Sequence, residues 1–360
     1  MHLRSVAPSA QHSEVSYDTR DFEVAAELDD VGRLTDRCAS QAAKALDEHG
    51  FVVMTQLLSD AESAAGLQLV RDAIADPNRE RGTFASQTDI RYVRRDFCPL
   101  PSAAPVLSYS AKLCQRLEKV LVEFCGRRRP VLEISTLTSY FGSSHQYIHR
   151  DPDGVLCLFV AVDDVSAEQG GTLFVPGTHR FSGSDMRHGG RSDKLMHLFQ
   201  VLCNIRILRY NLANLRRMRK EGDQVITQRE FLDRTFSRKR DNHQPNMLRF
   251  LLGKTGVFKI TMLGPLTLLK VWRERKVLQD TFRLVQATPK RGTVILYRSD
   301  MLHAGPNNRT AKPRYFFSLS IARDAMHPEL QSEGYSAHST LLTEPKTLGD
   351  LLDRYQLNPT

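Results

Sequence analysis

The stretch VLEISTLTSYFGSSHQYIHRDPDGVLCLFVAV, residues 131–162, sets two apolar runs around a polar hinge. VLEISTLTSYF and VLCLFVAV are short, rich in β-branched and aromatic residues, and bounded by Gly, Pro and Asp, which reads as two β-strands. The hinge carries His149 and Asp151 one residue apart, with His145 four residues before His149. On a strand, residues i and i+2 point to the same face. An H-x-D pair on a strand or at its end therefore grips one metal ion side by side. A lone pair of this kind is more often structural, so the site needs a third ligand.

Outward from the hinge the texture continues. GTLFVPG (171–177), DTFRLVQATP (280–289), GTVILYR (292–298) and RYFFSLSIAR (314–323) are four more such runs. Six short strands punctuated by Gly, Pro, Asn and Asp indicate a barrel or jelly roll. The N-terminal third reads differently. Leu34, Cys38, Ala42 and Leu46 recur every four residues, one face of a helix. Gly50 stops it, and FVVM (51–54) is a short buried strand. Ser59 and Asp60 offer capping oxygens to a further helix. Leu113, Leu117, Val120, Leu121 and Phe124 mark another helix over 108–126.

Seven histidines follow the hinge, at 179, 188, 197, 243, 303, 327 and 338. His303 stands out, just past the strand GTVILYR. Eleven residues later Arg314 opens the last strand. An arginine takes a carboxylate through two parallel hydrogen bonds, which lysine cannot match. Two histidines, a carboxylate and open positions make a mononuclear iron site of the oxygenase type, and the arginine adds an acidic cosubstrate. His145, at helical spacing in a strand, reads as a polar loop residue. His179, in the turn PGTHR, reads as a hydrogen-bonding turn residue.

Three blocks, GSSHQYIHRD (142–151), DDVSAEQGGTLFVPGTHR (163–180) and HAGPNNRTAKPR (303–314), resemble the signatures of the phytanoyl-CoA dioxygenase family. ALDEHGFVVMTQLLSDAE (45–62) resembles that family's entry into the fold, and the matches span roughly 60% of the chain in the right order. The resemblance implies an Fe(II)- and 2-oxoglutarate-dependent oxygenase, using O2, on a double-stranded β-helix (jelly roll, cupin-like). It implies that His149, Asp151 and His303 ligate iron, that Arg314 pairs with the distal carboxylate of 2-oxoglutarate, and that Gln146 and Thr172 contact the cosubstrate. The order around His149 is closer to the natural-product branch than to the acyl-CoA hydroxylases. Halogenating members of the fold replace the carboxylate by a small residue. Retention of Asp151 favours hydroxylation or a related oxidation.

The expected organisation is mainly β with α: a loosely ordered 1–20, a helical region 21–130 packing on the core, the jelly roll at 131–184 and 286–325, an insert at 185–285, and a tail at 326–360. The net charge of +9 is uneven. The insert holds 22 Lys+Arg against 9 Asp+Glu, while the remainder holds 28 against 32. Its first half reads as a helix with a stripe of Leu198, Leu202, Ile205, Leu208, Leu212 and Leu215. The insert is a candidate lid, a membrane-surface element, a phosphate binder, or a solvated decoration. RRMRK (216–220) and SRKR (237–240) lack interleaved aromatic residues, which argues against nucleic acid. Six scattered cysteines without a C-x-x-C pair fit a reducing compartment. The N-terminus lacks an apolar leader and QLNPT is not a peroxisomal address, so the expected location is cytoplasmic. No apolar run is long enough to span a bilayer. The substrate expected is a small or lipophilic organic molecule, or an acyl-CoA or lipid-linked one. The rival is a non-catalytic protein that binds membranes or acidic partners through the insert.

Overall fold

The computed structural model describes residues 15–80, 94–151, 153–181, 191–220, 257–323 and 338–354. Of Arg91, Tyr92 and Arg94, which sequence analogy places near the pocket mouth, the first two lie outside these residues, as do SRKR (237–240), His188, His243 and His327.

Among the described residues, eleven strands form two sheets. In chain order they are β1 (Val15–Ser16), β2 (Glu23–Ala25), β3 (Phe51–Thr55), β4 (Arg95–Pro99), β5 (Val131–Ser139) and β6 (Val155–Ala161), then β7 (Thr172–Phe174), β8 (Leu284–Ala287), β9 (Val294–Arg298), β10 (His303–Ala304) and β11 (Arg314–Ala322). The large sheet runs β2-β3-β9-β6-β11-β5-β4, and the small sheet β1-β8-β7-β10. An antiparallel bridge from His149 to His303 extends the small sheet by the hinge segment. From β5 the chain visits large, small (the hinge), large (β6), small (β7, β8), large (β9), small (β10) and large (β11). That exchange between two facing antiparallel sheets is a jelly roll.

Period-two alternation explains which residues face inward. On β11, Phe317, Leu319 and Ile321 join the cluster beneath the N-terminal helices, while Phe316 faces the interior with Phe159. Arg314, Ser318 and Ser320 share the face of Phe316. On β7, Leu173 packs outward and Phe174 inward, so Thr172 faces inward as well.

The helices cover the two outer faces. α1 (Asp36–His49), α2 (Asp60–Ala75), α3 (Ala104–Arg116) and α4 (Glu118–Phe124) lie on the large sheet. α1 is capped by Thr35 and ends on Gly50 at φ 85°, where a Cβ would stand 2.5 Å from His179 Nδ1. α2 begins with a capping box between Ser59 and Glu62. The helix expected over 108–126 is two helices, starting earlier at Ala104 behind Pro105 and interrupted at Leu117 (φ −95°, ψ 9°). The region expected to be helical gives the large sheet the expected strand at 51–54, found as β3, and two that were not expected, β2 and β4.

α5 (Arg191–Lys220) and α6 (Val257–Thr281), both in the insert, pack on the outer face of the small sheet. Their cluster includes Ile148, Leu173, Val175, Leu302 and Ala304 from the sheet side and Val201, Ile207, Leu215, Val271 and Leu278 from the helices. Of the leucine stripe expected on α5, Leu198 and Leu215 are buried, while Leu202, Ile205, Leu208 and Leu212 are only partly so; a buried line also runs through Gln200, Asn204, Ile207, Asn211, Asn214 and Met218. α7 (Ser339–Thr343) and α8 (Leu348–Arg354) return to the large-sheet side, where Leu348 and Leu351 are buried. Among the described residues no helix is long and apolar enough to cross a membrane.

Candidate active site

The hinge and β10 bring two ligand residues opposite each other by register. His149 N donates to His303 O at 3.0 Å, and His303 N donates to His149 O at 2.9 Å. Side chains of such an antiparallel pair project from the same face. The two rings lie 4.6 Å apart, centre to centre. Asp151 is in irregular chain rather than on a strand, and its N–H donates to Ser299 O.

Both imidazoles are turned the same way. His149 Nδ1 donates to Tyr147 O at 2.7 Å, and His303 Nδ1 donates to Met301 O at 2.9 Å. A carbonyl only accepts, so each Nδ1 carries the proton and each neutral ring presents a lone pair at Nε2. Those lone pairs converge on Asp151, with His149 Nε2 3.6 Å from Oδ1 and His303 Nε2 3.2 Å from Oδ2. Two lone pairs and a carboxylate repel unless a cation sits among them. Ligands ~2.1 Å from an ion and at right angles around it are ~3 Å from one another, which these distances match. Among the described residues these three form the one group of His, Cys, Asp and Glu able to hold a metal. Burial disfavours charge on His303, but the Asp151 carboxylate outweighs it and raises the imidazole above its ordinary pKa.

Arg314 opens β11 on the face it shares with Phe316 and is 1% exposed. Its Nη1 donates to the carbonyls of Gln169, Gly171 and Pro306, and its Nη2 to Ser139 Oγ. These partners are all neutral, and Nε is buried without an acceptor. Burial pushes the guanidinium well below its usual range, and Arg95 next to it adds to the push. Arginine stays charged in proteins, and these neutral partners leave that charge unbalanced. The Nε edge is open to a further acceptor, and a carboxylate is the acceptor that would balance the charge.

The turn EQGG makes Arg314's pose feasible. Gly170 has φ +100°, and a Cβ there would stand 2.8 Å from Arg314 Nη1; Gly171 has φ +51°, and a Cβ would stand 1.9 Å from Ala287 O. Only glycine tolerates both demands.

Arg95 is a site residue the sequence did not reveal. It is 5% exposed and donates to Ser144 O, Gly305 O and Pro306 O. Register places Arg95, Ser139 and Arg314 in one row across β4, β5 and β11. Two buried cations thus meet at Pro306. The signal available was RYVRRDF, where a cation alternates onto the inward face of a short strand.

Gln146 accepts from Gly305 N at 2.6 Å through its side-chain oxygen, tying the hinge to the chain after β10. Thr172 is buried on the inner face of β7. His145 is outside the ligand group: its Nδ1 donates to Gln146 O, and burial lowers its pKa to about 4, so it is neutral near pH 7. His179 bonds to Asp47 O and lies in the turn as expected.

A histidine, aspartate, histidine triad with a buried arginine, set inside a jelly roll, defines a mononuclear iron enzyme dependent on 2-oxoglutarate. Iron(II), 2-oxoglutarate and O2 are its cofactor and cosubstrates. The sequence points the same way: residues 141–316 match the family described as Phytanoyl-CoA dioxygenase (PhyH). No curated protein matches the sequence significantly.

Among solved structures, the chain is similar to the epimerase SnoN in complex with Fe3+, alpha ketoglutarate and nogalamycin RO, at 14% identity over 80% of this chain and 84% of that one, with a TM-score of 0.47. It is similar to the carbocyclase SnoK from nogalamycin biosynthesis at 13% identity over 86% and 95%, TM-score 0.45. It is also similar to HygX from Streptomyces hygroscopicus with nickel and 2-oxoglutarate bound, at 14% identity over 86% and 99%, TM-score 0.43.

Proposed function

We propose that the protein hydroxylates an unactivated C–H bond of a small organic substrate carrying polar groups, with succinate and CO2 as co-products. The observation that carries this reading is the lone-pair convergence of His149, Asp151 and His303, together with the buried, unsatisfied Nε of Arg314. When bound, iron and 2-oxoglutarate supply the oxidising power: the keto acid loses CO2 and one atom of O2 goes to succinate, the other to substrate.

The chain's own residues do the rest. His149 and His303, fixed by their carbonyl partners, aim Nε2 at the ion. Asp151 fills the position that a halide would need, which favours hydroxylation over halogenation. Arg314, with Arg95 beside it, holds the distal carboxylate and sets the cosubstrate's angle. Gln146 and Thr172 line the path between them. The large sheet presents buried Glu133, Ser135, Ser318 and Ser320 on its inner face. Hydroxyls and a carboxylate there suit a substrate with hydroxyl or amino groups better than a bare acyl chain.

The test is turnover under 18O2 with a panel of polar small molecules. One labelled atom in succinate and one in product supports hydroxylation. Unlabelled product with two hydrogens fewer points to desaturation or ring closure. Absence of succinate from folded protein with every candidate contradicts the proposal.

A second reading, a lipid-linked or acyl-CoA substrate met at a membrane surface, has its own support. α6 exposes Leu268, Leu269 and Trp272 beside Lys270, Arg273, Arg275 and Lys276. Apolar anchors among cations suit an anionic bilayer. Sedimentation with anionic vesicles that is lost in Trp272→Glu favours it. Sedimentation without succinate formation in any assay favours the non-catalytic binding protein.

A further inference from the structure

We infer that helix α5 of the basic insert is an arm of the metal centre, its side-chain amides holding the segment that carries His149. The inference rests on the iron-site reading above.

The hinge segment is irregular chain that pairs on one side, through His149, with β10. On its inner edge, His149 pairs with His303 and Gln146 N donates to Gly305 O. Its outer edge would present unpaired N–H and C=O groups. α5 lies along that edge and satisfies it with side chains. Asn211 accepts from His145 N and donates to His145 O, each at 2.8 Å. Asn204 accepts from Ile148 N at 2.7 Å and donates to Ile148 O at 3.1 Å. Gln200 adds a second donor to Ile148 O, and Asn214 donates to Gly142 O. Each asparagine thus bonds the peptide as a neighbouring strand would.

Helix spacing matches the span of the segment here. Asn204 and Asn211 are seven residues apart, ~10.5 Å along a helix, and Ile148 and His145 are three apart, at most ~10 Å in extended chain. The four amides fall on one line, Gln200, Asn204, Asn211 and Asn214, spaced as one helical face. Asn204 is 0% and Asn211 1% exposed. Buried amides are tolerated only where bonded, so a slip of α5 by one turn leaves both them and the segment unsatisfied. The arrangement therefore fixes a single register. Ile148 precedes the ligand, so its peptide sets where the His149 Cα sits. Gln200, Asn204 and Asn211 are positioning residues.

The experiment compares Asn204→Leu and Asn211→Leu with Ile207→Ala, in the full-length protein. Ile207 lies on the same helical line and is buried without bonding the segment. Three readouts are taken: Co(II) affinity by visible absorbance, thermal unfolding of the metal-free protein, and amide hydrogen exchange at residues 145 and 148. The expected result is Co(II) affinity lower by roughly tenfold to a hundredfold in both asparagine variants, with faster exchange at 145 and 148. Ile207→Ala is expected to lose thermal stability and keep Co(II) affinity within about threefold of the unmutated protein. Loss of affinity in proportion to lost stability in all three variants makes α5 merely structural and overturns the inference. Unchanged affinity in the asparagine variants overturns it too. If the unmutated protein binds no Co(II), the iron-site reading fails. The arm is then judged on exchange alone, and protection at 145 and 148 that survives both substitutions refutes it.

Discussion

The large and small sheets face each other across the iron ligands, but they are held by different means. β5 and β11 are nine residues long and pair along almost their whole length. Their outer face rests on α1 to α4 through Phe317, Leu319 and Ile321. The small sheet has strands of two to four residues. It carries both histidine ligands, and two of the three carbonyls that seat Arg314 come from the turn before β7. Regular ladders give the molecule its stability. Precision at the site comes from single contacts: a pair of carbonyls behind the histidines, glycines that let an arginine approach, amides from a helix. Chemistry therefore sits where the ladder is shortest and each bond is specified separately.

Substitutions should separate the two sheets. The largest effect is expected on the small-sheet side at the triad. Asp151→Ala should lose iron binding, and succinate formation should fall to background, with thermal unfolding little changed. Next is Phe317→Ala on the large sheet, which should cost about 3–5 kcal/mol of stability through the cavity it leaves. Below its lowered midpoint it should keep the unmutated KM for 2-oxoglutarate, and denaturant titration with steady-state kinetics checks both. Arg314→Met should raise that KM roughly a hundredfold, about 3 kcal/mol for charge-assisted bonds to a carboxylate. Gly171→Ala should cost about 1–3 kcal/mol of backbone strain. It should also raise the cosubstrate KM, since Gly171 O is a seat of Arg314. The smallest effect is expected far from either sheet's inner face. Arg127→Ala removes exposed ion pairs to Glu118 and Asp353 and should change stability by at most about 1 kcal/mol. A KM shift from Phe317→Ala as large as that from Arg314→Met would erase the distinction between the sheets.

The parts of the molecule that follow a period were readable in advance. VLEISTLTS and RYFFSLSIA read as strands and are β5 and β11. His149, Asp151, His303 and Arg314 were reachable because fixed spacings tie them to strand ends. β10 and β1, two residues each, are too short for a period to register. Arg95 was hidden for the same reason, on a strand of five residues bounded by loops. α5 misled in a different way. Its leucines form an apolar stripe, but a buried line also runs through Gln200, Asn204, Ile207, Asn211, Asn214 and Met218, at steps of four and three. Asparagine is a poor helix former and is counted as surface by hydropathy, so the pattern is visible only when spacing is read without regard to polarity. The split of the 108–126 helix at Leu117 left no comparable mark in the sequence.

One measurement bears on the central claim most directly. Purified protein is loaded with iron(II) without oxygen, 2-oxoglutarate is added, and the visible charge-transfer band of the chelate is recorded. The account predicts a band in the unmutated protein, none in His149→Ala, and a band in Arg314→Ala that saturates only at much higher 2-oxoglutarate, with succinate appearing once oxygen is admitted. No band and no succinate from folded, iron-treated protein would contradict it.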